Sequence, residues 1–295
     1  MTKIYTELLI NFSNWLSTLG YSESIVYHTP KQLQEFLEWL ESKDIISTKD
    51  IEQNHGKEFI EHFTNRPNKR RAGGLGAAHI NKQIDTLEKL AKYLKLTENQ
   101  TINFKLQRLK TTTKKHEILT TEEVKELYQA TYTVDNYLLG IRDRAMLGVY
   151  YGCGLRKKEG LQLEVSDIDI NRKLINVRHP KNKHERVVSK SGKVVEDLEH
   201  YIYQIRPLLL EEIEPTDKLF LTEKGVPIQG QSVANRLKYL VNKSGLRDKK
   251  VGLHLLRHSI ATHLLQAGMT LENIAIFLGH KSLDSTQLYT HLANE

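Results

Sequence analysis

The sequence predicts a mostly α fold with a small antiparallel β-ribbon (α+β), arranged as two domains. Apolar residues recur at helical spacing through the first third, a fresh capped helix begins after a basic connector, and one later stretch alternates as strands do. At 295 residues the chain also exceeds the common size of a single domain.

The elements follow in chain order. Leu33, Phe36, Leu37 and Leu40 recur at three- and four-residue steps and form one apolar stripe. Ile80, Ile84, Leu87, Leu90, Ala91 and Leu94 repeat the pattern. Between them lies NRPNKRRAGGLGAAH, residues 65–79, a loop by its proline and glycines. Its Lys69, Arg70 and Arg71 suit either solvent or a phosphate backbone, and no GK[ST] follows the glycines, which argues against a P-loop. Residues 1–104 are therefore expected to form a helical first domain. Residues 105–117, KLQRLKTTTKKHE, carry Lys105, Arg108, Lys110, Lys114 and Lys115 without an apolar period and read as a basic linker.

Thr120 and Glu123 stand at capping-box spacing in ILTTEEVKELYQA, so a second domain is expected over 118–295. Asp143 to Tyr150 reads as an apolar helix ending in the turn Gly152-Cys153-Gly154. The run LEVSDIDINRKLINVRHPKNKHERVVSKS alternates as about three short strands, with a turn near Asn171-Arg172 and a basic connection at His179 to His184. From about Val194 the pattern is again mostly helical.

Composition narrows the function classes. Lysine and arginine total 43 against 36 acidic residues, a formal charge of +7 and a pI near 9.2, which suits a polyanionic partner as well as simple solubility. Cys153 is the sole cysteine, which excludes an intrachain disulfide and a thiolate metal site and fits a reducing cytosol. No stretch approaches the roughly 18 apolar residues of a membrane span, so a cytoplasmic protein with no membrane partner is expected.

Four local features carry residues capable of chemistry. GCGLRKKEGLQL places Arg156 after a glycine turn at the start of a helix; alone it is a surface charge. HPKNKHERVV puts Lys181 and Lys183 near a hairpin tip; alone it is a solvated loop. HLLRHSIATHLL sets His254 and Arg257 on one helical face, with His258 and His263 nearby. That histidine cluster lacks HExxH and an acidic third ligand, so no metal is expected. LGHKSLDSTQLYTH joins His280 to a helix start at Ser282 and to Tyr289. Asp167 and Asp169 in VSDIDI resemble a metal-binding pair and read as structural.

Taken together, these residues suit phosphoryl transfer. Two guanidiniums can clamp the non-bridging oxygens of one phosphodiester and neutralise charge that builds in a pentacovalent transition state. Imidazoles can donate hydrogen bonds or shuttle a proton, a lysine can protonate a departing alkoxide, and a tyrosine can attack phosphorus. A phenol with an ordinary pKa near 10 needs such cations and a proton acceptor. A phosphate held by arginines also removes the need for a carboxylate-bound metal.

On these four motifs, spread in order through the second domain, the chain resembles the tyrosine recombinase (phage integrase) family, with its nearest likeness to short Xer-type members. The resemblance implies a helical core-binding domain followed by a catalytic domain, closing around duplex DNA. By position, Arg156 and Arg257 match the phosphate-clamping arginines, His254 and His280 the two active-site histidines, and Tyr289 the nucleophile. Glu159 matches an acidic residue that supports the site. The ribbon lysine falls on Lys181 with Lys183 as the alternative, because HPKNKHER departs from the family's glycine-rich spelling.

The resemblance further implies cleavage and rejoining through a 3′-phosphotyrosyl link without cofactor, on double-stranded DNA. It implies a homotetramer on two sites, or assembly with a related recombinase. A type IB topoisomerase, which nicks and reseals one strand, and a non-catalytic DNA-binding protein of the same fold are the rival readings. The chain is expected to begin directly with its core-binding helices. HLANE after the Tyr289 segment is shorter than the family's usual docking helix.

Overall fold

The apolar stripes of the first third become four helices among the described residues. The computed structural model describes residues 1–68, 72–111, 117–178, 186–189, 192–210 and 214–279. The chain divides into two compact units, Met1–Lys114 and Lys115–Glu295.

In the first unit, α1 (Lys3–Thr18), α2 (Glu23–Glu41), α3 (Gln53–Asn65) and α4 (Ala77–Thr97) enclose one core. Thr2 and Ser22 cap α1 and α2 with their side-chain oxygens. Pro30 lies inside α2 and cannot donate to the carbonyl of Val26, which instead accepts from the Ser13 hydroxyl of α1 at 3.4 Å. Leu33, Phe36, Leu37 and Leu40 are wholly buried, and the Phe36 ring meets Phe59 edge-on at 5.0 Å.

The compact unit takes in the start of the expected linker: Leu106 packs against its core, next to buried Phe104, whose ring lies against Gly56. The start of the expected linker then follows α4. The Leu109 amide donates to Asn81 Oδ1 at 2.9 Å, and Arg108 pairs with Asp85 at 2.6 Å and Glu88 at 2.8 Å. Lys105 and Lys110 are exposed on this segment, and Lys69, Arg70, Arg71, Lys114 and Lys115 lie outside the described residues.

The second unit opens on the expected capping box. The Glu123 amide donates to the Thr120 hydroxyl at 3.2 Å and the Thr120 amide to Glu123 Oε2 at 2.9 Å, starting α5 (Thr121–Ala130). Next, α6 (Tyr137–Leu147) passes into a π-helical turn, Gly148–Gly152, and α7 (Lys157–Gln162) follows the glycine turn. Contrary to its apolar reading, α6 buries Arg142, Asp143 and Arg144. Asp143 accepts from Arg142 at 2.7 Å and from Arg236 Nε at 2.8 Å, and Arg144 pairs with Asp197 at 3.3 Å, so each buried charge has a counter-charge.

The ribbon has three antiparallel strands in the order β1 (Ile168–Asp169), β2 (Leu174–Val177) and β3 (Arg186–Ser189). Asp167 and Asp169 fold its near end: Asp167 accepts from the Glu164 amide and forms an ion pair with Arg178, and Asp169 accepts from the Arg172 amide. Beyond it come α8 (Gly192–His200), a second π-helical turn (Tyr201–Ile205), α9 (Arg206–Leu209), α10 (Gly230–Lys243), α11 (Leu253–Gln266) and α12 (Leu271–Leu278). Tyr150 lies against Gly160, where any Cβ would stand 2.6 Å from its ring, and this close approach seats α7 on the core.

Truncating a large ring in a fully packed core removes both its transfer energy and its contacts. Phe36→Ala is expected to destabilise the first unit by about 3–5 kcal/mol, read from its chemical denaturation midpoint.

Candidate active site

The site is built around one buried carboxylate. Glu159 stands at the third position of α7 with its side chain only 4% exposed, and Arg156 is the N-cap of the same helix. Glu159 Oε2 accepts from the Arg156 amide at 2.7 Å, and Oε1 from Arg156 Nη1 at 2.8 Å. Arg186, the first residue of β3, grips the same carboxylate with both Nη atoms at 2.9 Å. Arg257 of α11 brings a third guanidinium, with Nη1 3.8 Å from Oε2. Burial works to raise the Glu159 pKa, but the hydrogen bonds and charges of Arg186 and Arg156 outweigh it and hold the carboxyl at about 2.

The same arginines converge on the end of α12. The carbonyl of Phe277 accepts from Arg186 Nε at 3.2 Å, that of Leu278 from Arg257 Nη2 at 2.6 Å, and that of Gly279 from Arg156 Nη2 at 3.0 Å. A helix C-terminus leaves such carbonyls without intrahelical donors and carries the negative end of the helix dipole, so cations are favoured there. Gly279 closes the helix in the left-handed region with φ 65°, and a Cβ on it would lie 2.8 Å from Arg186 Nη1. Gly154, with φ 59°, turns its carbonyl onto Arg257 Nη1 at 2.5 Å and packs against Leu278 and Phe277.

Helix α11 is fixed at several points. His254 lies exposed in its first turn, one turn ahead of the buried Arg257. The Leu119 amide donates to the Ser259 hydroxyl at 2.8 Å, and the Tyr151 hydroxyl sits 2.8 Å from His263 Nδ1. Burial pushes the His263 pKa down, against its hydrogen bond with the Leu119 backbone and the charge of Glu122. Of the three histidines on α11 weighed at the outset, His263 is thus part of a bridge between α11, the π-helical turn and the segment entering α5.

Of the residues expected at the site, Arg156, Glu159 and Arg257 meet, and His254 is on the helix that carries Arg257. His280, Tyr289, Lys181 and Lys183 lie outside the described residues. His280 directly follows Gly279 in the chain, and Lys181 and Lys183 shortly precede Arg186. The sequence reading missed Arg186 and the three α12 carbonyls. Strand alternation carried the signal for the first: Arg186 shares a strand face with buried Val188, and a guanidinium on that face needs an internal partner.

A helical unit with a three-stranded ribbon, holding paired arginines beside a helix end, has the layout of a DNA strand transferase. The chain belongs to the phage integrase family of tyrosine recombinases, whose family model matches residues 117–295. It is 31% identical over 287 residues to tyrosine recombinase XerC 2 of Ralstonia nicotianae, covering 95% of this chain and 80% of that one. It is 29% identical to tyrosine recombinase XerC of Bacillus subtilis over 94% and 88% of the two chains. A solved structure of XerH site-specific recombinase bound to a difH substrate before cleavage matches with a TM-score of 0.73 at 25% identity, over 90% of this chain and 76% of that one.

The depressed Glu159 carboxyl sets a pH window. Its folded value of about 2 lies below the ordinary 4.5, so its stabilisation is complete above 4.5 and is lost as pH falls toward 2. The melting-temperature gap between wild type and Glu159→Gln should therefore stay constant above roughly pH 5 and close on acidification.

Proposed function

We propose that this chain recombines specific DNA sites by cleaving and rejoining duplex DNA through a 3′-phosphotyrosyl intermediate. The observation that carries the reading is the meeting of Arg156 and Arg257 around Glu159, at the helix end that leads directly into His280 and the Tyr289 segment.

In this mechanism the Tyr289 hydroxyl attacks the scissile phosphorus, forming one phosphoester as the bond to the 5′-oxygen breaks. Arg156 and Arg257 hold the non-bridging oxygens and oppose the added negative charge of the pentacovalent state. His254 adds a hydrogen bond from the first turn of α11, where backbone dipoles present their positive end. His280, as a neutral imidazole, accepts the phenol proton as the new phosphoester forms. Lys181, or Lys183 beside it, delivers a proton to the departing 5′-oxygen. A 5′-hydroxyl from a partner strand then attacks the phosphotyrosine, restores the phenol and rejoins DNA. Each step exchanges one phosphoester for another, so the energy of the bond is conserved without ATP.

The working assembly in this reading is a tetramer on two DNA sites, acting in the cytoplasm, with a second copy or a related recombinase supplying the other protomers. Lys69, Arg70, Arg71, Lys105, Arg108, Lys110, Lys114, Lys115 and Lys183 supply phosphate contacts. Arg108 reaches DNA only by sharing its guanidinium with Asp85 and Glu88. No helix among the described residues is long and apolar enough to cross a membrane.

The test is covalent trapping on fragmented genomic DNA, followed by sequencing of what is held. Wild type should give an adduct that survives denaturant, and Tyr289→Phe should bind the same DNA and give none; an adduct from that variant would refute the nucleophile. Arg156→Ala and Arg257→Ala should each slow cleavage by about 100-fold or more. Affinity should also fall steeply with salt, with log K dropping about 0.9 per neutralised phosphate, whereas a flat response would remove the DNA contacts assigned above.

A further inference from the structure

Arg186 differs from Arg156 in how its donors are used. Both of its Nη atoms are committed to Glu159 and its Nε to the Phe277 carbonyl, and its side chain is 11% exposed. Arg156 offers Glu159 one Nη atom, gives the other to Gly279, and is 36% exposed. A phosphate can therefore reach the more exposed Arg156 without dismantling the cluster, whereas all three nitrogens of Arg186 are already engaged inward, on Glu159 or Phe277.

The position of Arg186 in the chain gives that geometry a purpose. It is the first residue of β3, immediately after the segment that holds Lys181 and Lys183. Through Glu159 it bears on Arg156 and Arg257, and through Phe277 and the contact with Gly279 it bears on the end of α12. One side chain thus ties together the base of the lysine segment, the arginine pair and the helix end that leads into the nucleophile segment.

We propose that Arg186 is a positioning residue for strand cleavage, setting the register of these three parts without touching DNA. The proposal rests on the recombinase reading above. Its physical content is the guanidinium fork. A planar fork satisfies both carboxylate oxygens and keeps Glu159 from drawing Arg156 and Arg257 fully onto itself, which leaves part of their donor capacity for a phosphate. A lysine at this position carries the charge but is a single point donor, and it cannot make the bidentate grip and the Phe277 contact together.

The test compares full-length wild type, Arg186→Lys and Arg186→Ala on the duplex recovered by covalent trapping, with a nick placed so that cleavage is irreversible. DNA affinity and single-turnover cleavage are measured separately, and melting curves confirm folding. Affinity is expected to stay within about twofold in both variants, while cleavage falls by about 100-fold in Arg186→Ala, the scale of a small misplacement of reacting groups, and by a smaller factor in Arg186→Lys. Added methylguanidinium should restore part of the cleavage to Arg186→Ala, which a general loss of folding would not allow. Wild-type cleavage in Arg186→Lys overturns the need for the fork, and this remains measurable if the alanine variant does not fold. Affinity falling in step with cleavage overturns the claim that Arg186 works away from DNA. Absence of any adduct from wild type refutes the recombinase reading itself and takes this proposal with it, so the two failures are distinct.

Discussion

The second unit's candidate site depends on one buried ion cluster, the Glu159 carboxylate with the guanidiniums of Arg156, Arg186 and Arg257. Burying charge is expensive, and the cluster is tolerable because the carboxylate is gripped by a bidentate fork and the guanidiniums find further acceptors. Elements far apart in sequence are thereby held to one point: α7, β3, α11 and the end of α12. The glycines at 154 and 279 serve the same end. Each takes a left-handed backbone at a place where a Cβ would collide with α12 or with Arg186.

Much of this was legible in the sequence, for identifiable reasons. The stripes on α2 and α4 follow helical periodicity because each helix packs one face against a common core, and Leu33 through Leu40 are buried as spaced. The capping box at Thr120 is a local device, written within four residues, and it forms as spelled. The turn before β2 is equally local. Less legible were features that depend on distant partners. Leu106 read as part of a linker because its packing depends on a core built by residues distant in sequence. The buried Asp143 of α6 looked like part of an apolar stretch because its partner Arg236 comes from α10.

Within the site the same division holds. Arg156 and Glu159 share one helical turn and Arg257 stands in a recognisable motif, so residue types singled out the arginines and the family resemblance pointed to Glu159. Arg186 was visible only as a neighbour of the lysine segment, because its role is set by Glu159 and by a backbone carbonyl on α12. Carbonyls have no residue identity, and no motif reports which one an arginine will find. The signal that did exist was strand alternation, which put a charge on the same face as Val188 and so required an internal counter-charge.

The use of carbonyls has an electrostatic consequence. Three guanidiniums against one carboxylate leave two positive charges among the described members of the cluster. Had a second carboxylate taken the place of the α12 carbonyls, it would have satisfied the same N–H donors but cancelled more of that charge. Neutral acceptors at a helix C-terminus contribute only a partial negative charge, roughly half an elementary charge for the whole helix end. The guanidiniums are thus oriented and hydrogen-bonded while most of their excess charge persists in a partly buried setting, where it acts more strongly than in water. That is the condition for stabilising an anion whose charge increases along a reaction, since dipoles and charges already in place need no reorganisation at the moment of transfer. The helix that supplies those carbonyls leads directly in the chain to His280, so the arrangement that preserves the charge also anchors the point from which the chain runs on toward Tyr289.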